Sequence, residues 1–180
     1  MPVIRLADEA ELPVLQDIQL AAGTAFAEID MALVATNGPT PLAEFREYHR
    51  AGHVWVAIDE TDDKTDDEVE EAGAPIAFLL GALVDGCAHV EQVSVRPDHA
   101  GNGIGRDLIE YFADWARARE IGALTLTTFV DVPWNGPYYS RCGFHPIPEA
   151  DLTPRLRAIR AEETALGLDE WPRTAMRRDL

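Results

Sequence analysis

Basic residues are few in this chain, where 15 Lys and Arg stand against 32 Asp and Glu and the formal net charge is −17 at pH 7. Nucleic-acid-binding proteins carry basic faces that neutralise phosphates, so this balance argues against a nucleic-acid partner and weakly favours a cationic ligand. Much of the negative charge lies in residues 59–73, DETDDKTDDEVEEAG. Such a run is too polar to bury, and we expect it to form a flexible, solvated loop.

Long apolar runs are absent from the sequence: no stretch approaches the roughly 18 apolar residues of a transmembrane helix. The first residues, MPVIRLADEAEL, lack the basic start and apolar core of a signal peptide, so a cytoplasmic protein with no membrane partner is expected. Cysteine occurs only at Cys87 and Cys142, which we expect to be reduced and structural. No group of His, Cys and Asp residues has metal-ligand spacing, so no metal is expected.

The patterns along the chain predict a mixed α/β fold, and 180 residues with 47% hydrophobic content predict a single domain over residues 1–180. Apolar periodicity and breakers predict strands at 3–6, 53–58, 74–84, 88–95, 123–130 and 174–178. The same reasoning predicts helices at 8–26, 42–50, 104 to about 121, 134–141 and about 154–166, with 28–41 irregular. Asp85-Gly86 is a strong turn signal between two strands.

The most informative segment is Val93 to Gly105, VSVRPDHAGNGIG. An apolar strand ends at Arg-Pro, glycines follow at Gly101, Gly103 and Gly105, and an amphipathic helix begins at once. Glycines allow a close approach of the backbone to a ligand, and the first helical turn offers free N–H groups and the positive end of the helix dipole. The segment therefore predicts a site for phosphate or pyrophosphate, with a plain glycine-rich turn as the alternative.

Three known phosphate loops can be compared with this segment. A P-loop requires Gly-Lys-Ser/Thr, whereas Arg106 and Asp107 follow Gly105. A dinucleotide-binding loop requires GxGxxG directly after the strand, whereas here the spacing is GxGxG and residues 96–100 intervene, which argues against a nucleotide-binding oxidoreductase. The third pattern, V-x-P followed by (Q/R)-x-x-G-x-G/A, resembles the pyrophosphate loop of the GNAT acyltransferase superfamily. Ala100 departs from it in place of the usual Gln or Arg.

A second motif strengthens the resemblance. Residues 139–144, YSRCGF, are similar to the Y-x-x-x-G-F that closes the GNAT acetyl-CoA site, and PWNGPYYSRCGF resembles a common bacterial branch. The resemblance extends over most of the chain, is specific for residues 89–144 and is weak before Gly52. It implies a mostly antiparallel central sheet with splayed central strands, flanked by helices. It also implies transfer of an acetyl group from acetyl-CoA to a primary amine by direct attack in a ternary complex. An acyl-CoA-binding sensor or partner module without turnover is the alternative.

The resemblance assigns roles to individual residues. Those implied to contact the CoA moiety are Val93, Val95, Gly101, Asn102, Gly103, Ile104, Gly105, Arg106 and Asn135. For Asn135, packing or helix capping is the alternative. Phe26, Glu28, Asp30 and Trp134 are candidates to line the acceptor cleft. The acceptor itself, a small molecule or a peptide, is not identified by the sequence, which is compatible with a homodimer and does not restrict the acyl group to acetyl.

Two residues are implied to act in catalysis. Tyr139 is the candidate acid for the leaving thiolate, because a phenol with a pKa near about 10 stays protonated at neutral pH. A core aromatic is its alternative role. Glu91, in the apolar strand before the glycine loop, is the candidate base, acting through water. We expect desolvation to raise its pKa. A polar residue on an exposed face is the alternative role of Glu91, and His89 or water is then the base.

Overall fold

The computed structural model of the chain describes residues 2–59 and 73–180. Of the acidic run 59–73, residues 60–72 lie outside the described residues, so the predicted loop stays a prediction. The described residues form seven strands, namely β1 (Val3–Leu6), β2 (Val54–Ile58), β3 (Pro75–Val84), β4 (Cys87–Val95), β5 (Ala123–Phe129), β6 (His145–Pro146) and β7 (Arg173–Asp179). They also form six α-helices, namely α1 (Leu12–Gly23), α2 (Ala32–Thr36), α3 (Leu42–Arg50), α4 (Ile104–Arg117), α5 (Gly136–Arg141) and α6 (Pro154–Ala165).

The strands form one sheet in the order β1-β2-β3-β4-β5-β7-β6. The pairs β1–β2, β2–β3, β5–β7 and β6–β7 are antiparallel, whereas β4 and β5 run parallel. The parallel register covers three residue pairs, Ala88–Val90 against Leu124–Leu126, although the two strands are nine and seven residues long. The predicted mixed α/β fold with a mostly antiparallel sheet is confirmed.

The chain divides into two compact units, Met1–Gly81 with Gln92–Tyr111 and Ala82–Glu91 with Phe112–Leu180. The single-domain expectation stays a prediction. In the first unit, apolar side chains of α1, α3 and the strands β2 and β3 form one core. Its members are Ala7, Leu12, Leu15, Ile18, Phe45, Val54, Val56, Ile58, Phe78 and Leu80. The rings of Phe45 and Phe78 meet edge to face with their centroids 5.6 Å apart.

In the second unit β5 pairs with β7 along seven residues, and α6 is tied to both strands through Glu163. The Glu163 carboxylate accepts hydrogen bonds from the Arg173 guanidinium at 2.9 and 3.1 Å and from the Thr127 hydroxyl and Arg160. Burial alone would raise its pKa, but the hydrogen bonds and charge of Arg173 hold the pKa of Glu163 below its usual value. The carboxylate is therefore ionised at neutral pH and joins helix to sheet.

The helix ends differ from those that the sequence predicts. The predicted helix 8–26 begins as an α-helix only at Leu12, with Pro13 in its first turn, where a missing N–H costs nothing. Residues 28–41, predicted to be irregular, contain α2. Helix α4 ends at Arg117 because Glu120 adopts a left-handed conformation with φ 59°, and the N–H of Ile121 donates to the carbonyl of Ala116 at 3.0 Å. That pattern is a Schellman closure formed without glycine.

The turn at Asp85-Gly86 is confirmed. Both residues have positive φ, 48° and 80°, as a two-residue type I′ hairpin turn requires. The strand after it begins at Cys87.

One side-chain hydrogen bond crosses the short parallel ladder at its middle pair. His89 on β4 is 1% exposed, and its Nδ1 lies 2.8 Å from the Oγ1 of its register partner Thr125 on β5. Thr128, three residues along the same strand, also has a buried hydroxyl, but this hydroxyl has no hydrogen-bond partner among the described residues. The two threonines therefore provide a matched pair for measuring what this bond contributes.

We predict that Thr125→Val lowers the free energy of unfolding by about 1–3 kcal/mol, because it leaves the buried Nδ1 of His89 without a partner. Thr128→Val removes a buried hydroxyl that bonds nothing, so its stability should equal or exceed that of the parent. Urea denaturation followed by circular dichroism measures both. Equal stability of the two variants would show that the bond contributes nothing.

Candidate functional site

The glycine loop between β4 and α4 is held at its start by the backbone. The N–H of Arg96 donates to the carbonyl of Ile76 at 2.9 Å, and the Arg96 guanidinium pairs with Asp98 at 2.6 Å. A 3-10 turn over Pro97–His99 follows. The half-buried His99 has its Nδ1 4.0 Å from a carboxylate oxygen of Asp59.

The glycines at the tip of the loop are required by the conformation of the backbone. Gly101 and Gly103 have φ of 82° and 85°, the left-handed region that other residues rarely adopt. A Cβ added at either position would meet no atom within 4 Å, so packing does not select glycine there. Both residues and Asn102 are exposed. The loop thus exposes open backbone to solvent, as a cradle for a ligand requires.

The first turn of α4 continues from this loop. The carbonyl of Gly103 accepts the N–H groups of Arg106 at 2.9 Å and Asp107 at 3.0 Å. The N–H groups of Ile104 and Gly105 begin the helix, where no carbonyl one turn earlier in the helix can accept them. Ile104 and Gly105 are buried and anchor the turn, while Arg106 is exposed and adds a positive charge. Free N–H groups, the helix dipole and a guanidinium together favour an anion.

The end of β4 leads into this loop. Val93 and Val95 are half-buried, and Ser94 between them is buried and accepts a hydrogen bond from the Gln92 amide at 2.8 Å. The two valines therefore lie in the same unit as the glycine loop and directly before it. The predicted phosphate loop and the predicted pantetheine strand are one continuous segment.

Tyr139 lies on α5, in the second unit. Its ring contacts those of Tyr138 and Phe144, with centroid distances of 5.4 and 5.9 Å, so it packs as a core aromatic as well. Burial of the hydroxyl group raises the pKa of Tyr139 to about 12. The phenol is therefore protonated at every physiological pH and has a proton to donate, whereas it cannot act as a general base in its resting state.

A glycine that sequence reasoning passed over positions this helix. A Cβ at Gly136 would lie 2.5 Å from the carbonyl oxygen of Val130 and 2.9 Å from that of Phe129, which no side chain permits. The segment between β5 and α5 therefore folds back onto the end of the strand and determines where α5 starts. The Asn-Gly-Pro sequence at residues 135–137 was the available signal.

Asn135 precedes α5 and makes no side-chain capping hydrogen bond. Its Oδ1 is buried and has no hydrogen-bond partner within the described ranges, while its backbone carbonyl accepts the N–H of Tyr139 at 2.8 Å. Helix capping, the alternative role, is thus not seen. A buried carbonyl oxygen without a donor is costly, and a donor on a ligand would satisfy it.

The two candidate bases on β4 have opposite environments. His89 is buried, and desolvation lowers its pKa to about 4, so the ring is neutral at pH 7 with Nδ1 engaged by Thr125. Glu91 is exposed, contrary to the desolvated position that we expected. Glu91 lies one residue beyond the parallel ladder, which ends at Val90, and its position on an exposed face is the alternative that the sequence left open.

The candidate acceptor residues lie in two places. Phe26 is half-buried and Glu28 is exposed in a 3-10 turn of the first unit, and Asp30 follows with a left-handed φ of 61°. Trp134, in the second unit, is 39% exposed. In the described part of the chain, no group of three His, Cys, Asp or Glu side chains is placed to hold a metal ion. No helix among residues 2–59 and 73–180 combines the length and apolarity needed to cross a membrane.

Comparison with solved structures identifies the fold. The chain superimposes on the PaiA N-acetyltransferase of Thermoplasma acidophilum, determined in complex with coenzyme A, with a TM-score of 0.70 and 11% identity over 100% of this chain and 99% of that one. The ribosomal-protein-S18-alanine N-acetyltransferase of Escherichia coli gives a TM-score of 0.66 and 16% identity over 99% and 94% of the two chains. Rv2747 of Mycobacterium tuberculosis, in complex with CoA, gives 0.64 and 17% over 99% of each. These identities establish the fold alone.

The family follows from the sequence itself. Residues 24–144, well over half of the 180, match the model of the acetyltransferase (GNAT) family. The matched range contains the glycine loop, both candidate bases and the Y-x-x-x-G-F motif, and it ends at Phe144. The chain therefore belongs to the GNAT acetyltransferase family.

Proposed function

We propose that this protein transfers an acetyl group from acetyl-CoA to a primary amine of a small-molecule or peptide acceptor, by direct attack of the amine in a ternary complex in the cytoplasm. The observation that carries the proposal is the glycine loop of a GNAT family member, with Gly101 and Gly103 left-handed at the start of α4. Two structural neighbours were determined with CoA, which supports CoA as the ligand here.

The proposed cofactor contacts follow the local geometry. Backbone N–H groups from Gly101 to Arg106 would hold the pyrophosphate, and Val93 and Val95 would pair with the pantetheine arm as a strand does. The Asn135 amide has a buried oxygen that needs a donor, which an amide N–H of the pantetheine arm would supply. The exposed tip of the loop at Gly101 and Gly103 and the buried Oδ1 of Asn135 support these contacts.

The proposed chemistry needs a neutral amine. A free alkyl amine has a pKa near about 10.4, so at pH 7 only a few molecules in ten thousand are neutral, a cost of roughly 4–5 kcal/mol. A general base offsets part of this cost, and such catalysis is worth about 10²–10⁴-fold. We assign this role to Glu91, whose exposed carboxylate can accept a proton through water. His89 is a poorer base because burial opposes its charged form.

Tyr139 is the proposed acid. When the carbon–sulfur bond of the thioester breaks, the thiolate takes a proton, and the Tyr139 hydroxyl is a protonated donor. With its pKa raised to about 12, Tyr139 stays protonated from pH 6 to 9, so its ionisation should not affect the pH dependence of the rate in that range. A module that binds acyl-CoA without turnover is the competing proposal, and an acetyl-transfer assay over a library of amines separates the two.

Replacing Gly103 by valine should abolish CoA binding, because valine disfavours the left-handed backbone that opens the loop and places a side chain in the cradle. Gly52→Val is the matched control. Gly52 also has a positive φ of 72° and open space around its Cβ position, but it lies in the turn before β2. Calorimetric titration with CoA should show binding only in the control. Unchanged affinity in Gly103→Val would remove the loop from the cofactor site.

Tyr139→Phe should lower kcat by roughly 10–10³-fold while the affinity for acetyl-CoA changes little, since the lost interaction forms late in the reaction. Tyr138→Phe, which also keeps its ring, should retain the parent rate. Steady-state kinetics under conditions where chemistry limits turnover give the comparison. A parent rate in Tyr139→Phe would leave this tyrosine a packing role only.

Glu91→Gln should reduce kcat/KM most at pH 6–7 and progressively less as the pH approaches the amine pKa of about 10.4, where neutral amine is supplied without help. CoA affinity should be unchanged, and the exposed Glu44→Gln serves as the control. A constant deficit, or none, across pH 6–9 would mean that water alone or another group accepts the proton.

A further inference from the structure

A cavity within the second unit has no role in the function proposed above. It is a cleft of about 320 Å³, and all its lining residues belong to Ala82–Glu91 and Phe112–Leu180. Its polar lining groups are Cys87, Thr125, His145, Asp151, Thr153, Arg177 and Asp179. Ligand clefts range from about 300 to 1,000 Å³, so this one is of the size that suits a small molecule.

The floor of the cleft is a polar row across three adjacent strands. Thr125 on β5 is the register partner of Arg177 on β7, and Arg177 is the register partner of His145 on β6. Register partners project from the same face of a sheet, so these three side chains stand side by side. The row is held by backbone ladders, which makes the floor a rigid platform.

The guanidinium of Arg177 has more N–H donors than its two hydrogen bonds use. Its Nε donates to Asp179 at 2.7 Å, and its Nη1 donates to the Cys87 thiol at 3.4 Å. A guanidinium carries five N–H groups, and within the described residues the other three have no acceptor. The two bonds fix the plane of the guanidinium and leave one edge of it available to an acceptor in the cleft.

A negative group also lines the cleft. The Asp151 side chain lines the cleft from the loop before α6, and in the described ranges its carboxylate has no hydrogen-bond or ion-pair partner. A simple anion would meet repulsion from Asp151, and a simple cation would meet repulsion from Arg177. A molecule with both charges matches both groups.

We propose that this cleft binds a small aliphatic α-amino acid as its zwitterion. Arg177, assisted by His145, receives the carboxylate, because guanidinium and carboxylate form strong charge-assisted hydrogen bonds. Asp151 receives the ammonium group. Val84, Ile147 and Leu156 also line the cleft and provide apolar contact for the aliphatic side chain.

The test measures binding without CoA, so its result does not depend on whether the protein transfers acetyl groups. L-alanine, L-valine and L-leucine are titrated calorimetrically into the protein. L-valinamide and N-acetyl-L-valine, each lacking one charge, are the matched probes. Arg177→Met and Asp151→Asn should each weaken the binding of L-valine by at least about tenfold. Arg157→Met and Asp131→Asn, exposed positions outside the cleft, should not.

Cys87 reports occupancy of the cleft directly, because its half-buried thiol lines the cleft while Cys142 is buried elsewhere. Bound L-valine should slow alkylation of Cys87 by iodoacetamide, measured by mass spectrometry. The proposal is overturned if none of the three amino acids binds, or if the singly charged probes bind as well as L-valine. It is equally overturned if Asp151→Asn, which preserves the shape of the side chain, leaves both affinity and thiol protection unchanged.

Discussion

The left-handed backbone at Gly101 and Gly103 is the constraint on which the cofactor chemistry of this chain depends. A residue with a Cβ loses roughly 1–2 kcal/mol in that conformation, and both glycines adopt it although neither is packed against other atoms. The conformation directs the chain from β4 into α4 without covering the first helical turn. The N–H groups there stay available, and every proposed phosphate contact follows from that.

The short parallel ladder between β4 and β5 determines the surroundings of the two candidate bases on β4. Where the ladder runs, β4 is buried on both faces and a polar residue needs a partner, which Thr125 provides for His89. One residue beyond the ladder, Glu91 is in solvent. The same strand therefore carries a neutral, desolvated imidazole and a hydrated carboxylate two residues apart. Proton transfer from an amine favours the carboxylate, since burial opposes a charge on the imidazole.

Local patterns sufficed for those parts of the fold that local forces determine. Strand β1 and helix α3 have the predicted bounds, and in α3 the apolar residues Leu42, Phe45 and Tyr48 recur at helical spacing. The end of α4 was not predictable, since Glu120 takes the left-handed position that usually requires glycine. The exposure of Glu91 depends on where a ladder between distant segments stops.

The candidate site likewise contains some features that local sequence predicts and others that depend on contacts formed only in the folded chain. The candidate phosphate loop and the candidate acid Tyr139 were predicted from motifs, because both motifs consist of residues within a few positions of each other. Gly136 is selected by carbonyl oxygens six and seven residues earlier, a contact that exists only after the chain folds back. The row formed by Thr125, Arg177 and His145 depends on the register of three strands. No sequence pattern contains that register.

A net charge of −17 and a polyanionic ligand are compatible because the two act over different distances. Charges in solution are screened over about 8–10 Å at physiological ionic strength, so a net charge affects the approach of a ligand more than its contacts. Binding is decided by groups within hydrogen-bond distance, and at the start of α4 these are backbone N–H groups and Arg106. In the proposed function, the surplus of carboxylates would attract a cationic amine, and the local donors would hold the phosphate. An acidic protein with a locally positive start of α4 is thus compatible with two proposed substrates of opposite charge.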